Sequence, residues 1–225
     1  MELLSNGFTL DLSPNAFPLS TDSVLLADFV RLPKGSAVLD LGSGCGTLGL
    51  LLCAKDPGCT VTGVELDPQA HAMALKNIAR NGLSARLSSI CGDLRDMPPG
   101  DFRVCVSNPP YFSGGPASRS LPTARREDAC SLEDLISTAA RCLRYGGDFF
   151  LVHRPERLAQ ICHLSCQAGM EPKRMRLVRH RPEAPVSLML LQCRKGGKPG
   201  LSWEELTLFS SDDTPTPEYR AIYHL

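Results

Sequence analysis

Residues 107–112, with the sequence Ser-Asn-Pro-Pro-Tyr-Phe, have the types and spacing to bind a flat group that carries an amine. They follow the apolar run 102–106, so we expect them where a buried strand opens into a loop. The two prolines fix φ, remove backbone donors and stiffen the chain. The Asn108 amide oxygen and the Pro109 carbonyl are both acceptors, and the Tyr111 ring lies beside them in sequence. Together they can hold both N–H groups of a planar amine and leave its lone pair directed elsewhere. The alternative is a proline turn without a chemical role.

A glycine-rich stretch at 38–49 has the pattern of a short apolar strand, a turn and the start of a helix. Glycines let a ligand approach the backbone, and a helix N-terminus offers N–H groups to an anion. Polar residues also follow the next three predicted strands, namely Glu65, Asp93 and Asn108. Alternating strands and helices predict a doubly wound, mostly parallel sheet, in which ligands bind beyond the carboxyl ends of the strands. These polar features are therefore expected to form one site.

The glycines at 44, 46 and 49 also fit a dinucleotide-binding fingerprint, with Glu65 at about the distance expected for a ribose ligand. A nicotinamide dinucleotide must therefore be weighed against S-adenosylmethionine. Asp40, just before the glycines, suits an ammonium group and would repel a pyrophosphate, and its neighbours Leu39 and Leu41 argue against a solvated carboxylate. An Asn-Pro-Pro-Tyr segment has no role in hydride transfer. The pattern therefore favours S-adenosylmethionine, with Glu65 on the ribose hydroxyls and Asp93 on the adenine amine.

These motifs together resemble the class I S-adenosylmethionine methyltransferases that act on planar amines. Segments 20–26, 124–127, 132–136, 153–158 and 218–223 are similar to the bacterial valine-tRNA adenine N6-methyltransferases, which modify the adenine beside the anticodon. The resemblance covers about residues 17–195 and the final 218–223. It implies a Rossmann-like α/β fold, S-adenosylmethionine as cofactor and tRNA as substrate. The implied catalytic residues are Asn108, Pro109, Pro110 and Tyr111, and the implied cofactor-binding residues are Asp40, Gly42, Gly44, Gly46, Glu65, Leu66, Asp93, Leu94 and Asn108.

The mechanism implied is mainly one of positioning. Asn108 and the Pro109 carbonyl would accept hydrogen bonds from the exocyclic amine of adenine while Tyr111 stacks on the ring. For Phe112, contact with the base and simple packing remain open. A folded RNA also needs cations for its phosphates. The candidates for that role are Arg119, Arg125, Arg126, Arg154, Arg157, Lys173, Arg174, Arg176 and Arg179.

Three other interpretations remain open at this point. A protein glutamine N5-methyltransferase acting on a release factor uses the same Asn-Pro-Pro-Tyr logic on an amide, although few residues precede Val38 for the helical domain that such enzymes carry. A DNA or rRNA adenine N6-methyltransferase is a second alternative, but no target-recognition segment is visible. A non-catalytic RNA-binding scaffold is the third, and the intact segment 108–111 argues against it.

Composition sets bounds on the class of protein. The chain has 225 residues, 43% hydrophobic and 21% charged, with net charge 0, so no global field attracts it to nucleic acid or membrane. Residues 154–198 are rich in Lys and Arg, which permits a local basic face. Ten cysteines without a signal peptide indicate reduced thiols and a cytoplasmic protein. The run Cys162-His163-x-x-Cys166 lacks a second ligand pair, so we expect no metal, and no apolar run approaches the ~20 residues of a membrane span.

The remaining elements follow from caps, periodicity and breakers. Helices are predicted at 20–30, 68–80, 131–143 (with a capping box at Ser131 and Asp134) and 155–168. A loop is predicted at 113–123, a strand at 148–153, and a terminal antiparallel hairpin at 173–180 and 185–194. The predicted organisation is an N-terminal segment and helix that pack on the core (1–33), the methyltransferase domain (34–195) and a tail that packs back on it (196–225). Whether the protein is a monomer or a dimer is left open.

Overall fold

A computed structural model of the chain describes residues 2–4, 7–12, 21–110 and 130–223. Two short strands pair near the N-terminus, and eight further strands form the central sheet. The strands are β1 Glu2–Leu3, β2 Thr9–Leu10, β3 Ala37–Leu41, β4 Thr60–Glu65, β5 Leu87–Cys91, β6 Phe102–Ser107, β7 Leu143–His153, β8 Met170–Arg179, β9 Val186–Lys195 and β10 Ser202–Thr207. The α-helices are α1 Thr21–Phe29, α2 Thr47–Lys55, α3 Pro68–Arg80, α4 Leu132–Cys142, α5 Leu158–Gln167 and α6 Pro217–Tyr223.

The central sheet has the strand order β10-β8-β9-β7-β6-β3-β4-β5. Every pair of neighbours is parallel except the two pairs that β9 makes with β7 and β8. The predicted doubly wound, mostly parallel sheet with a terminal antiparallel hairpin, β8–β9, is therefore confirmed.

Side chains of the central strands alternate between two buried cores, one on each face of the sheet. In β3, Val38 joins the core formed with α1, α2 and α3, whereas Leu39 joins the core formed with α4 and α5. Phe150 and Phe149 in β7 divide in the same way. Successive side chains of a strand point to opposite faces, so a strand covered on both sides needs an apolar run. The runs at 38–41 and 149–152 are of this kind.

The predicted helix at 131–143 forms as α4, with the predicted capping box. The Ser131 hydroxyl accepts from the Asp134 backbone N–H, and the Asp134 carboxylate accepts from the Ser131 backbone N–H. The end of this helix differs from the prediction, because β7 begins at Leu143, directly after α4. Gly146 lies inside β7 with φ near 75°. A register shift between β6 and β7 lies beside it, so the glycine marks an irregularity of the strand.

The tail contains two elements that the sequence did not predict. β10 pairs in parallel with β8 at the edge of the sheet, and α6 contacts α1 and β10. Most of β10 is exposed, including Trp203 at 63%, so it lacks the apolar run that identifies a central strand. Tyr219 of α6 packs against Phe209 and stacks on Tyr223. The tail is therefore polar in sequence although it is ordered against the sheet.

Candidate active site at the carboxyl edge of the sheet

β3 and β6 lie side by side at the centre of the sheet, with Asp40 opposite Val106. From this junction the strand order proceeds to β4 and β5 on one side and to β7 on the other. Such a reversal of strand order opens a crevice beyond the carboxyl ends of the two strands. The Ser107 hydroxyl donates to the Leu41 carbonyl at 2.7 Å and ties the two ends together. The glycine-rich turn and Asn108 therefore begin at neighbouring points of one crevice.

Asp40 is a buried carboxylate, 1% exposed. Neither of its side-chain oxygens has a hydrogen-bond partner among the described residues. Burial, and then the negative charge of Glu65, raise the pKa of Asp40 to about 8. A buried charge without a partner is costly, so the ionised form needs a cation from outside. The expectation that Asp40 is not a solvated carboxylate is confirmed, and the site fits an ammonium group.

The glycine-rich turn leaves open space beside Asp40. Gly42 and Gly44 have φ near 75° and 55°, a region that other residues rarely adopt, and a Cβ added at either would meet no atom within 4 Å. Glu65 braces the turn: Oε2 accepts from the Gly44 backbone N–H at 2.7 Å, and Oε1 accepts from the Asp67 N–H at 2.8 Å. The predicted cofactor residues Gly42, Gly44, Gly46 and Glu65 are thus brought together around an open cradle.

Asn77 of α3 supports the same turn, and the sequence analysis missed it. Its side chain is fully buried, and Nδ2 donates to the Cys45 carbonyl at 2.9 Å and to the Asp11 carbonyl at 2.8 Å. Its Oδ1 accepts from the Asp11 backbone N–H. A polar residue on the apolar side of an amphipathic helix was the available signal, because a buried amide needs hydrogen-bond partners.

Asp93 follows the end of β5, as predicted, and its carboxylate already has a partner. It accepts from the Arg95 backbone N–H at 2.8 Å and pairs with the Arg95 guanidinium at 2.5 Å. The side-chain hydrogen bond from Arg95 is the main cause that lowers the pKa of Asp93. Arg95 contacts both carboxylate oxygens through its backbone N–H, Nε and Nη2, so the adenine amine would have to share this carboxylate with Arg95. Leu66, which is half exposed, follows Glu65 in the sequence, and Leu94 follows Asp93. Both leucines add apolar surface.

Asn108 is half-buried at the end of β6, and its Nδ2 donates to the Ser23 hydroxyl oxygen at 2.9 Å. Ser23 is in the first turn of α1 and is 7% exposed. The sequence analysis did not identify this contact, which joins residues 85 positions apart. Pro109 is buried and Pro110 is half-buried. The other predicted residues of this loop, Tyr111, Phe112, Arg119, Arg125 and Arg126, lie outside the described residues.

Two of the predicted RNA-contact residues follow the carboxyl end of β7, beside the crevice. Arg154 donates to the Ser187 carbonyl at 3.2 Å, and Arg157 donates to Gln160 at 2.7 Å. His153, at the end of β7, is buried, and its Nδ1 accepts from the Arg154 backbone N–H at 2.8 Å. Burial lowers the pKa of His153 to about 4, so the ring is neutral at physiological pH.

The other described cations of the set lie on β8 and have partners within the protein. Arg174 lies over the Phe29 ring, 3.9 Å from its centre, and also donates to the Phe29 carbonyl. The remaining partners are the Lys198 carbonyl for Lys173, Asp28 and Glu204 for Arg176, and Glu205 for Arg179. Arg174 and Arg176 are two positions apart on β8, so both side chains face the end of α1. A cavity of about 440 Å³ lies there, and it is lined by Asp28, Phe29, Val30, Arg31, Leu32, Lys55, Asp56, Arg174 and Arg176. The sequence did not predict these internal roles.

Two further features bear on the class of protein. Within the described ranges, no group of three or more His, Cys, Asp and Glu side chains is placed to hold a metal ion, and this includes the neighbourhood of Cys162 and Cys166. None of the helices in the described part of the chain combines the length and the apolar character needed to cross a membrane.

Comparison with known proteins shows the family of the chain. The family model of the methyltransferase small domain matches residues 19–162. The chain is also similar to a protein of Tolumonas auensis named tRNA1(Val) (adenine(37)-N6)-methyltransferase. The two are 30% identical over 222 residues, which cover 96% of this chain and 92% of that protein.

Solved structures of methyltransferases share the fold. A predicted O-methyltransferase from Agrobacterium tumefaciens superposes with a TM-score of 0.76 at 23% identity, covering 91% of this chain and 96% of that one. The 16S rRNA N2 G1207 methyltransferase of T. thermophilus, in complex with AdoMet and guanosine, superposes with a TM-score of 0.59 at 26% identity. That match covers 81% of this chain and 45% of the other.

Proposed function

This chain belongs to the methyltransferase small domain family, and we propose that it methylates the N6 amine of an adenine in tRNA with S-adenosylmethionine. The adenine proposed is the one beside the anticodon of a valine tRNA, as in the name of the T. auensis relative. The observation that carries the chemistry is the buried Asp40 carboxylate, which has no hydrogen-bond partner among the described residues and lies at the same strand junction as Asn108. A substrate of this kind also implies a cytoplasmic protein.

The residues of the crevice fit S-adenosylmethionine, which supplies a methyl group on a positively charged sulfur. Asp40 would pair with the ammonium of the methionine part, and the open turn around Gly42 and Gly44 would accommodate that part. Glu65 would bind the ribose hydroxyls. Asp93 would accept from the adenine amine, with Leu66 and Leu94 against the ring. Each acidic residue thus serves a different donor group of the same cofactor.

Asn108 would hold the amine that receives the methyl group. Its amide N–H is given to Ser23, so the amide oxygen is directed away from that helix and can accept from the substrate. The Pro109 carbonyl would accept the second N–H, and Tyr111 would stack on the base. The amine nitrogen would take the methyl group that the cofactor supplies and would then release one proton to water. No residue needs to remove a proton beforehand, because catalysis lies in alignment of the two reacting atoms.

The RNA must also present its base to this crevice. An adenine in an anticodon loop has to leave its stack to reach such a site, and loop bases allow this at modest cost. Arg154 and Arg157 lie at the carboxyl edge of the sheet, where they would meet phosphates on either side of the extruded base. Arg174 and Arg176 of β8 face the end of α1, where they contact Phe29 and Asp28, and they are assigned no part in this interface.

Transfer from methyl-labelled S-adenosylmethionine tests the proposal. The acceptor is small RNA from a strain lacking this gene, and a parallel tube contains release factor. We expect label in the RNA that digestion recovers as N6-methyladenosine, and loss of nearly all turnover in Asn108→Ala with cofactor affinity retained. Label only in release factor would contradict the RNA substrate, and near-normal turnover in Asn108→Ala would exclude the role of the amide.

A further inference from the structure

We propose that Ser23 is a positioning residue, which fixes the orientation of the Asn108 amide for methyl transfer. This inference rests on the proposed function of the crevice. It starts from one contact, the hydrogen bond of 2.9 Å from Asn108 Nδ2 to the Ser23 hydroxyl oxygen. The contact connects the first turn of α1 to the loop after β6.

The chemistry of an amide makes its orientation important. A primary amide has two N–H donors and one oxygen acceptor, and a rotation of 180° about its Cβ–Cγ bond exchanges them. With Ser23 accepting from Nδ2, the oxygen is turned away from Ser23 and is available to an amine. In the reversed orientation the NH2 group would meet the NH2 group of the substrate, donor against donor. In this structure Nδ2 faces the Ser23 hydroxyl, and the contact holds the amide in the orientation that accepts a hydrogen bond from the substrate.

The hydroxyl can do this only if α1 itself is fixed, and the helix is held along its length. Leu25, Leu26 and Phe29 are buried at 0%, 0% and 1% exposure, and the Phe29 ring meets Phe150 of β7 edge-on at 6.1 Å. The Lys55 ammonium donates to the carbonyls of Ala27, Asp28 and Val30 at the end of the helix. At the start of the helix, the Tyr223 side chain of α6 hydrogen-bonds Thr21.

The strand that carries Asn108 is fixed independently. The Ser107 hydroxyl, on a fully buried residue, donates to the Leu41 carbonyl of β3 at 2.7 Å. Pro109 follows Asn108 directly and restricts its backbone to extended geometry. With both supports fixed, the Asn108 side chain keeps rotation about its Cα–Cβ and Cβ–Cγ bonds, and the Ser23 contact limits both.

Steady-state kinetics of Ser23→Ala measures this role. We expect kcat to fall about 10- to 100-fold, because alignment of the amine is lost, while KM for RNA and the dissociation constant for S-adenosylmethionine change little. Ser23→Thr keeps a hydroxyl and should recover most of kcat. Ser165→Ala is the matched control. It also removes a hydroxyl from a buried helical serine, but on α5, on the other face of the sheet, and it should leave kcat unchanged.

Side-chain NMR of Asn108 gives a second measurement, which needs no turnover. The Asn108 Nδ2 resonances are identified by their absence in Asn108→Ala. In wild-type protein one of the two protons should exchange slowly with solvent, and in Ser23→Ala both should exchange fast, because the acceptor is gone. Ser23→Thr should again resemble wild type.

The two measurements separate this inference from the proposed function. A Ser23→Ala protein with wild-type kcat and wild-type exchange at Asn108 would overturn the positioning role, whatever the substrate proves to be. Equal losses in Ser23→Ala and Ser23→Thr, with a lower melting temperature in both, would also overturn it, because the residue would then only support the fold. If wild-type protein methylates no RNA, the proposed function fails, and the exchange measurement still decides the role of Ser23.

Discussion

Asp40 has surroundings that differ strongly from those of an ordinary surface aspartate. The fold places this carboxylate beneath the glycine-rich turn, and burial together with the charge of Glu65 raises its pKa to about 8. A carboxyl group with that pKa is mostly protonated at neutral pH in the empty protein. Pairing with an ammonium group requires the ionised form, so cofactor binding and proton release are linked at this residue.

The affinity for S-adenosylmethionine should therefore depend on pH. Between pH 6 and pH 7 we expect the dissociation constant to fall about tenfold, because one proton must leave Asp40 on binding. Above a pH of about 8 the affinity should fall again as the ligand's own amino group loses its proton. Calorimetric titration across this range measures both limbs. 5′-Methylthioadenosine, which lacks the amino group, serves as the control, and its affinity should not increase between pH 6 and pH 7. An affinity for S-adenosylmethionine that does not change with pH would contradict the role of Asp40.

The same carboxyl group should affect stability with a defined sign. Its pKa is raised in the folded protein, from 3.8 to about 8, so the folded state binds more protons than the unfolded state between these values. Its contribution to the free energy of unfolding is full below about pH 4 and is lost as pH rises toward 8, by up to about 1.4 kcal/mol per pH unit. Urea denaturation of wild type and Asp40→Asn measures the difference. Parallel pH profiles for the two proteins would show that Asp40 is not the source.

At the scale of residues, the sequence could predict which polar residues lie at the carboxyl edge of the sheet where position along a strand was sufficient. Glu65, Asp93 and Asn108 lie at or just after the ends of their strands, and Asp40 is next to last in its strand, so parallel strands bring all four to one edge. Ser23 and Asn77 were missed because their partners are 85 and 32 residues away, and hydroxyl or amide side chains give no local signal of a distant partner. Their contacts depend on how α1 and α3 pack.

At the scale of elements, β7 and β8 give their basic residues different surroundings. Arg157 follows β7 at the carboxyl edge of the sheet, whereas Arg174 lies in the middle of β8 and faces Phe29 at the end of α1. The charge of the segment could be counted in the sequence. The sequence could not show which basic residues lie at the edge of the sheet and which lie on the surface of β8 that faces α1. That distinction depends on the register of β8 against β9.

The two arginines should respond differently to substitution. Arg157→Ala should weaken tRNA binding and reduce the slope of log K against log salt concentration by about 0.7, the value for one phosphate contact in single-stranded RNA. Arg174→Ala should leave that slope unchanged and lower the free energy of unfolding by about 1 kcal/mol, because it loses the contacts with Phe29. Filter binding at several salt concentrations and urea denaturation measure the two effects. A reduced slope in Arg174→Ala would reverse the assignment.

Over the whole molecule, apolar runs and helix periodicity predicted the order of elements from α1 to β9, and their alternation predicted a doubly wound, mostly parallel sheet. The tail beyond residue 195 could not be predicted in this way. β10 is an exposed edge strand without an apolar run, and α6 is short and is stabilised by contacts with α1 and by the stacked rings of Tyr219 and Tyr223. Elements of this kind are stabilised by contacts with the rest of the protein, and their own sequence pattern does not identify them.

The central claim is that this crevice methylates the adenine beside the anticodon of a valine tRNA. Two transcripts of that tRNA, identical except that the second has guanine in place of the adenine, test it most directly with purified protein and methyl-labelled S-adenosylmethionine. We predict one methyl group per molecule of the first transcript, recovered as N6-methyladenosine at that position, and none in the second. Equal label in both transcripts, or label in neither while wild-type protein binds the cofactor, would contradict the account.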